Sequence, residues 1–165
     1  MSIQPILSIL EKLEKMHKSL LDYAHQKTEL VKHNDVDELN NILKIEQSHV
    51  AAIEQLEAQR QEKVKEYFRA KGLKVSGPPT VAELMEAVED EEERRRLADV
   101  RSRLMNVIEA LKRQNELNQQ LILNSLQFVN VTLNMLRPQA EPINYSGRTS
   151  QGGGASRQSL FDSQV

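Results

Sequence analysis

The stretch IQPILSILEKLEKMHKSLLDYAHQKTELVKHND, residues 3–35, decides the fold. Ile3, Ile6, Leu7, Leu10, Leu13, Leu20, Leu21, Ala24 and Val31 recur at the spacing that gathers side chains on one face of an α-helix. Pro5 fits a first turn, where its missing N–H costs nothing, so the helix begins near Ile3 or Pro5. It runs out at His33-Asn34-Asp35, where Asn34 or Asp35 can cap the next helix. The same period resumes with Leu39, Ile42, Leu43, Val50, Ile53, Leu56, Val64, Tyr67 and Phe68, and stops at Lys71-Gly72, a glycine C-cap behind basic residues. At ~1.5 Å per residue each helix is roughly 45–55 Å long. Two such helices joined by a short turn run antiparallel, so residues 3–71 are predicted to form a long hairpin.

Beyond the hairpin, SGPPT (Ser76 to Thr80) breaks the chain, because two prolines cannot continue a helix. Thr80-Val81-Ala82-Glu83 reads as a capping box. A short helix is predicted there, with Val81, Leu84, Met85 and Val88 on one face, leading with or without a bend into a last helix near Asp90-Glu91. That helix reaches Leu136 and ends at Arg137-Pro138. After Pro138 the chain is rich in Gly, Ser, Gln and Pro, and disorder is expected through most of it. The fold class is therefore all-α: a coiled-coil-like bundle of a hairpin, a short helix and a long C-terminal helix over residues 1–137, followed by a disordered tail over 138–165.

Composition agrees. Aromatic residues are 4% of the chain and Trp is absent, which suits thin layers of paired helices better than a compact enzyme core. Net charge is −2, too weak for a general pull towards nucleic acid or acidic lipid. With no Cys there is neither a disulfide framework nor a thiolate metal site, as suits a cytosolic protein. The N-terminus has no signal-peptide pattern, and no apolar run reaches the length of a membrane span.

Candidate chemistry is sparse. His17, His25 and His33 are spaced by eight, about 12 Å apart along a helix axis, and no pair has the i,i+4 spacing that lets two imidazoles share a metal. His17, on the apolar stripe, reads as a packed, hydrogen-bonded residue. Arg94, Arg95, Arg96, Arg101 and Arg103 could suggest a nucleic-acid patch. Glu91, Glu92 and Asp99 stand four residues ahead of Arg95, Arg96 and Arg103, however, and no aromatic is interleaved, so a solvated helix face is the better reading. Gly152-Gly153-Gly154 lacks the Lys-Ser or Lys-Thr of a phosphate loop. No nucleophile–base arrangement is legible. Neither a catalytic residue, a metal site nor a cofactor is expected, and the chain reads as a non-enzyme.

The last helix carries the remaining signal. With Leu97 at heptad position a, Leu97, Val100, Leu104, Val107 and Leu111 form one seam, widened by Ile108. From Asn115 the seam is expected to fail, since Asn118, Ser125 and Thr132 take position a. Leu117, Leu121, Ile122, Leu123, Leu126, Phe128, Val129, Val131, Leu133, Met135 and Leu136 instead spread around the helix, and no charge interrupts them between Glu116 and Arg137. A two-helix seam covers only one side. Either other helices of the chain surround this segment or a partner does.

The run Asn118-Gln119-Gln120-Leu121-Ile122, then Ser125 to Asn130, Leu133, Leu136 and Asn144-Tyr145, resembles the FlgN-type flagellar export chaperones. Ser159-Leu160-Phe161-Asp162 looks like the tails of Gram-positive members. The likeness extends loosely over the whole chain. One departure is that Ser146 stands between Tyr145 and Gly147.

The resemblance implies a cytosolic chaperone of type III protein export in flagellum biogenesis. Its clients would be the C-terminal segments of the hook–filament junction proteins FlgK and FlgL, kept from early assembly and handed to the export gate protein FlhA. Client-binding residues are then expected at Leu117, Leu121, Ile122, Leu126, Phe128, Val129, Leu133 and Leu136, with Tyr145 as the gate contact. No nucleic-acid partner and no direct membrane insertion are implied. The competing readings are a structural coiled-coil tether or self-associating helical adaptor, and a nucleic-acid or membrane-surface accessory protein, whose binding would fall steeply with salt.

Overall fold

A computed structural model describes residues 2–137. These form four helices: α1 (Gln4–Lys32), α2 (Val36–Ala70), α3 (Val81–Ala87) and α4 (Glu91–Leu136), with no strand among the described residues. The all-α expectation and the hairpin over 3–71 hold. The expected tail lies outside the described residues. The chain divides into two units, Met1–Asn124 and Ser125–Val165.

Backbone chemistry explains each boundary. Asn34 has φ 56°, the left-handed conformation that Asn tolerates better than most residues. It ends α1 in a Schellman motif: the Asp35 N–H donates to the Leu30 carbonyl (3.0 Å) and the Asn34 N–H to that of Val31 (3.3 Å). Of the two expected caps, Asp35 caps α2 by accepting the Glu38 N–H (3.2 Å), while Asn34 closes α1. Gly72 (φ 70°) ends α2 the same way, with Leu73 N–H to the Phe68 carbonyl (2.9 Å) and Gly72 N–H to that of Arg69 (3.1 Å). Both bonds of the capping box form at Thr80 and Glu83. A short break at Val88–Asp90 separates α3 from α4, whose first turn is capped by Asp90 accepting the Glu93 N–H (2.9 Å).

Within residues 1–124, side-chain bonds define the packing. Ser19 to His49 (2.9 Å) and Lys27 to Glu46 (3.1 Å) tie α1 to α2 with opposite senses. Arg96 to Gln4 (3.1 Å) and Arg103 to Glu14 (2.8 Å) tie α1 to α4 with the same sense. The chain thus runs up, down and up. The main core sits where α3 joins: Ile3 just ahead of α1, Leu7 and Leu10 of α1, Val64 and Phe68 of α2, Val81 and Leu84 of α3, and Leu97 and Val100 of α4 are buried together. A smaller cluster of Leu20, Ala24 and Leu111 continues it along α1 and α4.

Charge is placed where it is matched. The Glu14 carboxylate is buried between Lys18 (2.9 Å) and Arg103 (2.8 Å), and Arg103 also reaches Asp99 (3.1 Å). Two cations offset the desolvation that one buried carboxylate incurs. Of the three i,i+4 pairs expected at the start of α4, Asp99–Arg103 forms. Glu91 instead pairs with Arg94 and Glu92 with Arg95, each at i,i+3, and Arg96 turns to Gln4.

His17 donates from Nδ1 to the Leu13 carbonyl (2.7 Å). Burial holds its pKa below the ordinary 6.5, against the Leu13 hydrogen bond and the Glu57 carboxylate, which both favour the cation. As pH falls the unfolded chain therefore binds this proton first. The contribution of His17 is complete above pH 6.5 and declines as pH drops from there towards the folded-state value. Melting temperatures between about pH 7.5 and 5 should fall more steeply for the native chain than for His17→Gln. Equal slopes would assign the acid sensitivity to other groups.

Candidate protein-binding site

The α4 helix changes character along its length. Leu97, Val100, Leu104 and Leu111 face the core at heptad spacing. The seam does not fail at Asn115 as the apolar pattern suggested. It runs one turn further on polar side chains, and its last buried residue on α4 is Asn118, only 2% exposed.

Asn118 is satisfied from α1. Its Nδ2 donates to the Ala24 carbonyl (2.8 Å), and its Oδ1 faces the Thr28 hydroxyl. Gln114 Nε2 donates to the same hydroxyl (2.6 Å). A buried polar residue at an a position is tolerated only in the register that pairs it, so this cluster fixes how α1 and α4 align. The signal in the sequence was Thr28 on the α1 stripe opposite two amides at a and d positions, a match visible only once the register is known.

Why the seam ends there follows from length. The bonds Gln4–Arg96, Glu14–Arg103 and Thr28–Asn118 keep α1 and α4 residue numbers roughly 90 apart, as parallel helices of equal rise require. The last residue of α1, Lys32, corresponds on that scale to about residue 122. Leu121 and Ile122 are accordingly half-buried, while Leu117, on the outer side, is exposed.

In the second unit the helix continues from Ser125 to Leu136 with every large apolar side chain exposed. Phe128 is 73% exposed, Leu136 75% and Met135 81%, and Leu126, Val129, Val131 and Leu133 are each at least half open. At 100° per residue these side chains fall on two stripes. Leu126, Val129, Leu133 and Leu136 share one. Phe128, Val131 and Met135 share the other. Asn, Gln, Ser and Thr occupy the positions between, and Thr132 is tied back to the Phe128 carbonyl (2.9 Å). Of the expected site residues, the helix therefore groups Leu126, Val129, Leu133 and Leu136, and sets Phe128 apart from them. Tyr145, Leu160 and Phe161 lie outside the described residues.

An isolated helix with this apolar content and no charge would be marginal in water. It has the chemistry of a helix face that another helix covers. Of the five arginines of the rival patch on α4, Arg94, Arg95, Arg96 and Arg103 each have an acidic or amide partner, while the Arg101 Nε is buried without a hydrogen-bond partner among the described residues. Among the described residues no helix is long and apolar enough to cross a membrane, and no three His, Asp or Glu side chains are grouped to hold a metal ion.

Comparison with known proteins places the chain. The family model described as FlgN protein matches residues 1–152. The chain is also similar to the Uncharacterized protein YvyG of Bacillus subtilis (strain 168), with 32% identity over 166 residues that cover 100% of both chains. No solved structure matches.

Proposed function

The chain belongs to the FlgN protein family, and from that membership in a family of flagellar export chaperones we propose that it works in the cytosol on type III export, capturing the C-terminal segments of FlgK and FlgL. The observation that carries this reading is the exposed apolar face of α4 between Leu126 and Leu136. Client termini that later pack as helices in a filament need their apolar faces covered beforehand. An uncharged helix rich in Asn and Gln offers that cover without itself demanding a charged partner, as in helix-in-groove recognition. Leu126, Val129, Leu133 and Leu136 form the principal contact, Phe128 the flank, and Leu117, Leu121 and Ile122 the remaining client-facing positions on α4.

Release requires a second contact that does not compete with the first. Tyr145 serves the export gate protein FlhA. A tyrosine supplies a large ring and a hydroxyl at low rotamer cost, which suits a contact of modest affinity concentrated in one side chain. Tyr145→Ala should leave the melting temperature and client affinity unchanged and abolish binding to the FlhA cytosolic domain. Unchanged gate binding with a lower melting temperature would make the residue structural and shift attention to Leu160 and Phe161. The competing reading, a self-associating tether, predicts a mass that rises with concentration in the absence of client. Co-purification from a flagellated host decides between them: FlgK or FlgL in the eluate supports the chaperone, and recovery of the chain alone supports the tether.

A further inference from the structure

The end of α2 and the segment that follows it line an open groove of about 790 Å³ that client capture does not use. Its polar lining is Lys65, Arg69 and Lys74, its apolar lining Leu73, Val75 and Pro78, and no acidic side chain contributes to it. In a chain of net charge −2 a groove lined by three cations and no acid is a local exception. Among the described residues neither Lys65 nor Lys74 has an ion-pair partner, and Arg69 meets Glu62 only loosely, at 3.7 Å with both side chains largely exposed. Leu73 stands open beside them, 46% exposed.

The platform is fixed at both ends. At the start, the Schellman bonds from Gly72 and Leu73 satisfy the last carbonyls of α2. At the far end, the buried Arg60 guanidinium donates to the Pro79 carbonyl (3.1 Å) while Glu57 holds it from the other side (2.8 Å from Nε). Between them Val75 packs onto the core, and Gly77 (φ 91°) makes a turn that an L side chain would strain. A segment pinned in this way offers Leu73 and Lys74 with little ordering cost on binding.

We propose that this groove docks a short acidic segment of a partner protein, with carboxylates on Lys65, Arg69 and Lys74 and one apolar side chain against Leu73 and Val75. Charge complementarity selects the occupant. The cations are too few and too confined to one groove for a membrane surface, where each adjacent lysine adds only about 1 kcal/mol. The groove lining also offers no aromatic side chain for a nucleic-acid base to stack on. This surface belongs to the first unit and shares no residue with the client face.

The test is fluorescence anisotropy with a labelled peptide carrying one Leu between two pairs of Glu, alongside a control with Gln in place of each Glu. The acidic peptide should bind, the Gln peptide should not, and affinity should drop on raising the salt from 50 to 300 mM. Lys65→Glu combined with Lys74→Glu should weaken binding roughly tenfold or more. Leu73→Ser, at an exposed position that leaves folding intact, should weaken it roughly threefold. Val129→Asp should bind the peptide as the native chain does, which separates failure here from failure of the chaperone reading. Equal binding of both peptides, or native affinity in the charge-reversed and Leu73→Ser variants, overturns the proposal. So does retention of anionic vesicles or an oligonucleotide by these lysines without peptide binding.

Discussion

Val129→Asp is expected to weaken binding of a FlgK or FlgL C-terminal peptide roughly 30-fold or more while leaving the melting temperature unchanged. Both halves follow from where the side chain stands. Val129 lies in the middle of the stripe formed by Leu126, Leu133 and Leu136, and half of it is open to solvent in the free protein. Unbound, an Asp there remains hydrated and disturbs no packing. Bound, it must lose its water beneath an apolar client face with no cation on α4 between Leu117 and Leu136 to meet it. Truncating or charging an anchor at the centre of an interface costs about 2 kcal/mol or more, which is the 30-fold. Phe128→Asp, on the other stripe, distinguishes two modes. A client that covers one stripe leaves Phe128→Asp nearly silent, and one that wraps the helix makes both variants equally weak. Calorimetry showing native affinity for Val129→Asp with intact folding would remove this helix from the site.

The fold was legible in sequence because its boundaries rest on local chemistry. Gly72, the Thr80–Glu83 capping box and Pro78-Pro79 each act within a few residues, and each does in the structure what its position implies. The apolar period likewise assigned Leu7, Leu10, Leu97 and Leu104 to the core. Where sequence reasoning fell short, the information was not local. The extension of the seam to Asn118 depends on Thr28, ninety residues away, and on the parallel register that brings the two together. Hydrophobic periodicity passes over such a lock because its members are polar. The candidate site was legible as an excess of apolar residues but not as two stripes with a boundary. Where α4 passes from core to surface is set by where α1 ends, at Lys32, which nothing in residues 115–136 encodes.

The opposite pattern is expected for Leu10→Ala: a loss of about 3 kcal/mol of stability, within the 2–5 typical of such core truncations, and an unchanged client affinity at temperatures where the variant remains folded. Leu10 is fully buried, as are Leu84 and Leu97 in the same cluster. Four helices contribute to that cluster, so the neighbours cannot collapse into the vacated volume without disturbing several elements together. For a helical region of this size the melting temperature should fall by roughly 10 °C, read by circular dichroism at 222 nm. A drop of only a degree or two would mean that the cluster repacks and that stability resides in the α1–α2 hairpin rather than in its junction with α3 and α4. The binding half of the prediction carries the functional argument. The core at residues 3–13 and the face at 126–136 are built from different residues, so Leu10→Ala leaves every side chain of the apolar face unchanged. If Leu10→Ala, fully folded at low temperature, bound the client peptide much more weakly than the native chain, client recognition would have to involve the packed bundle as well as the apolar face of α4.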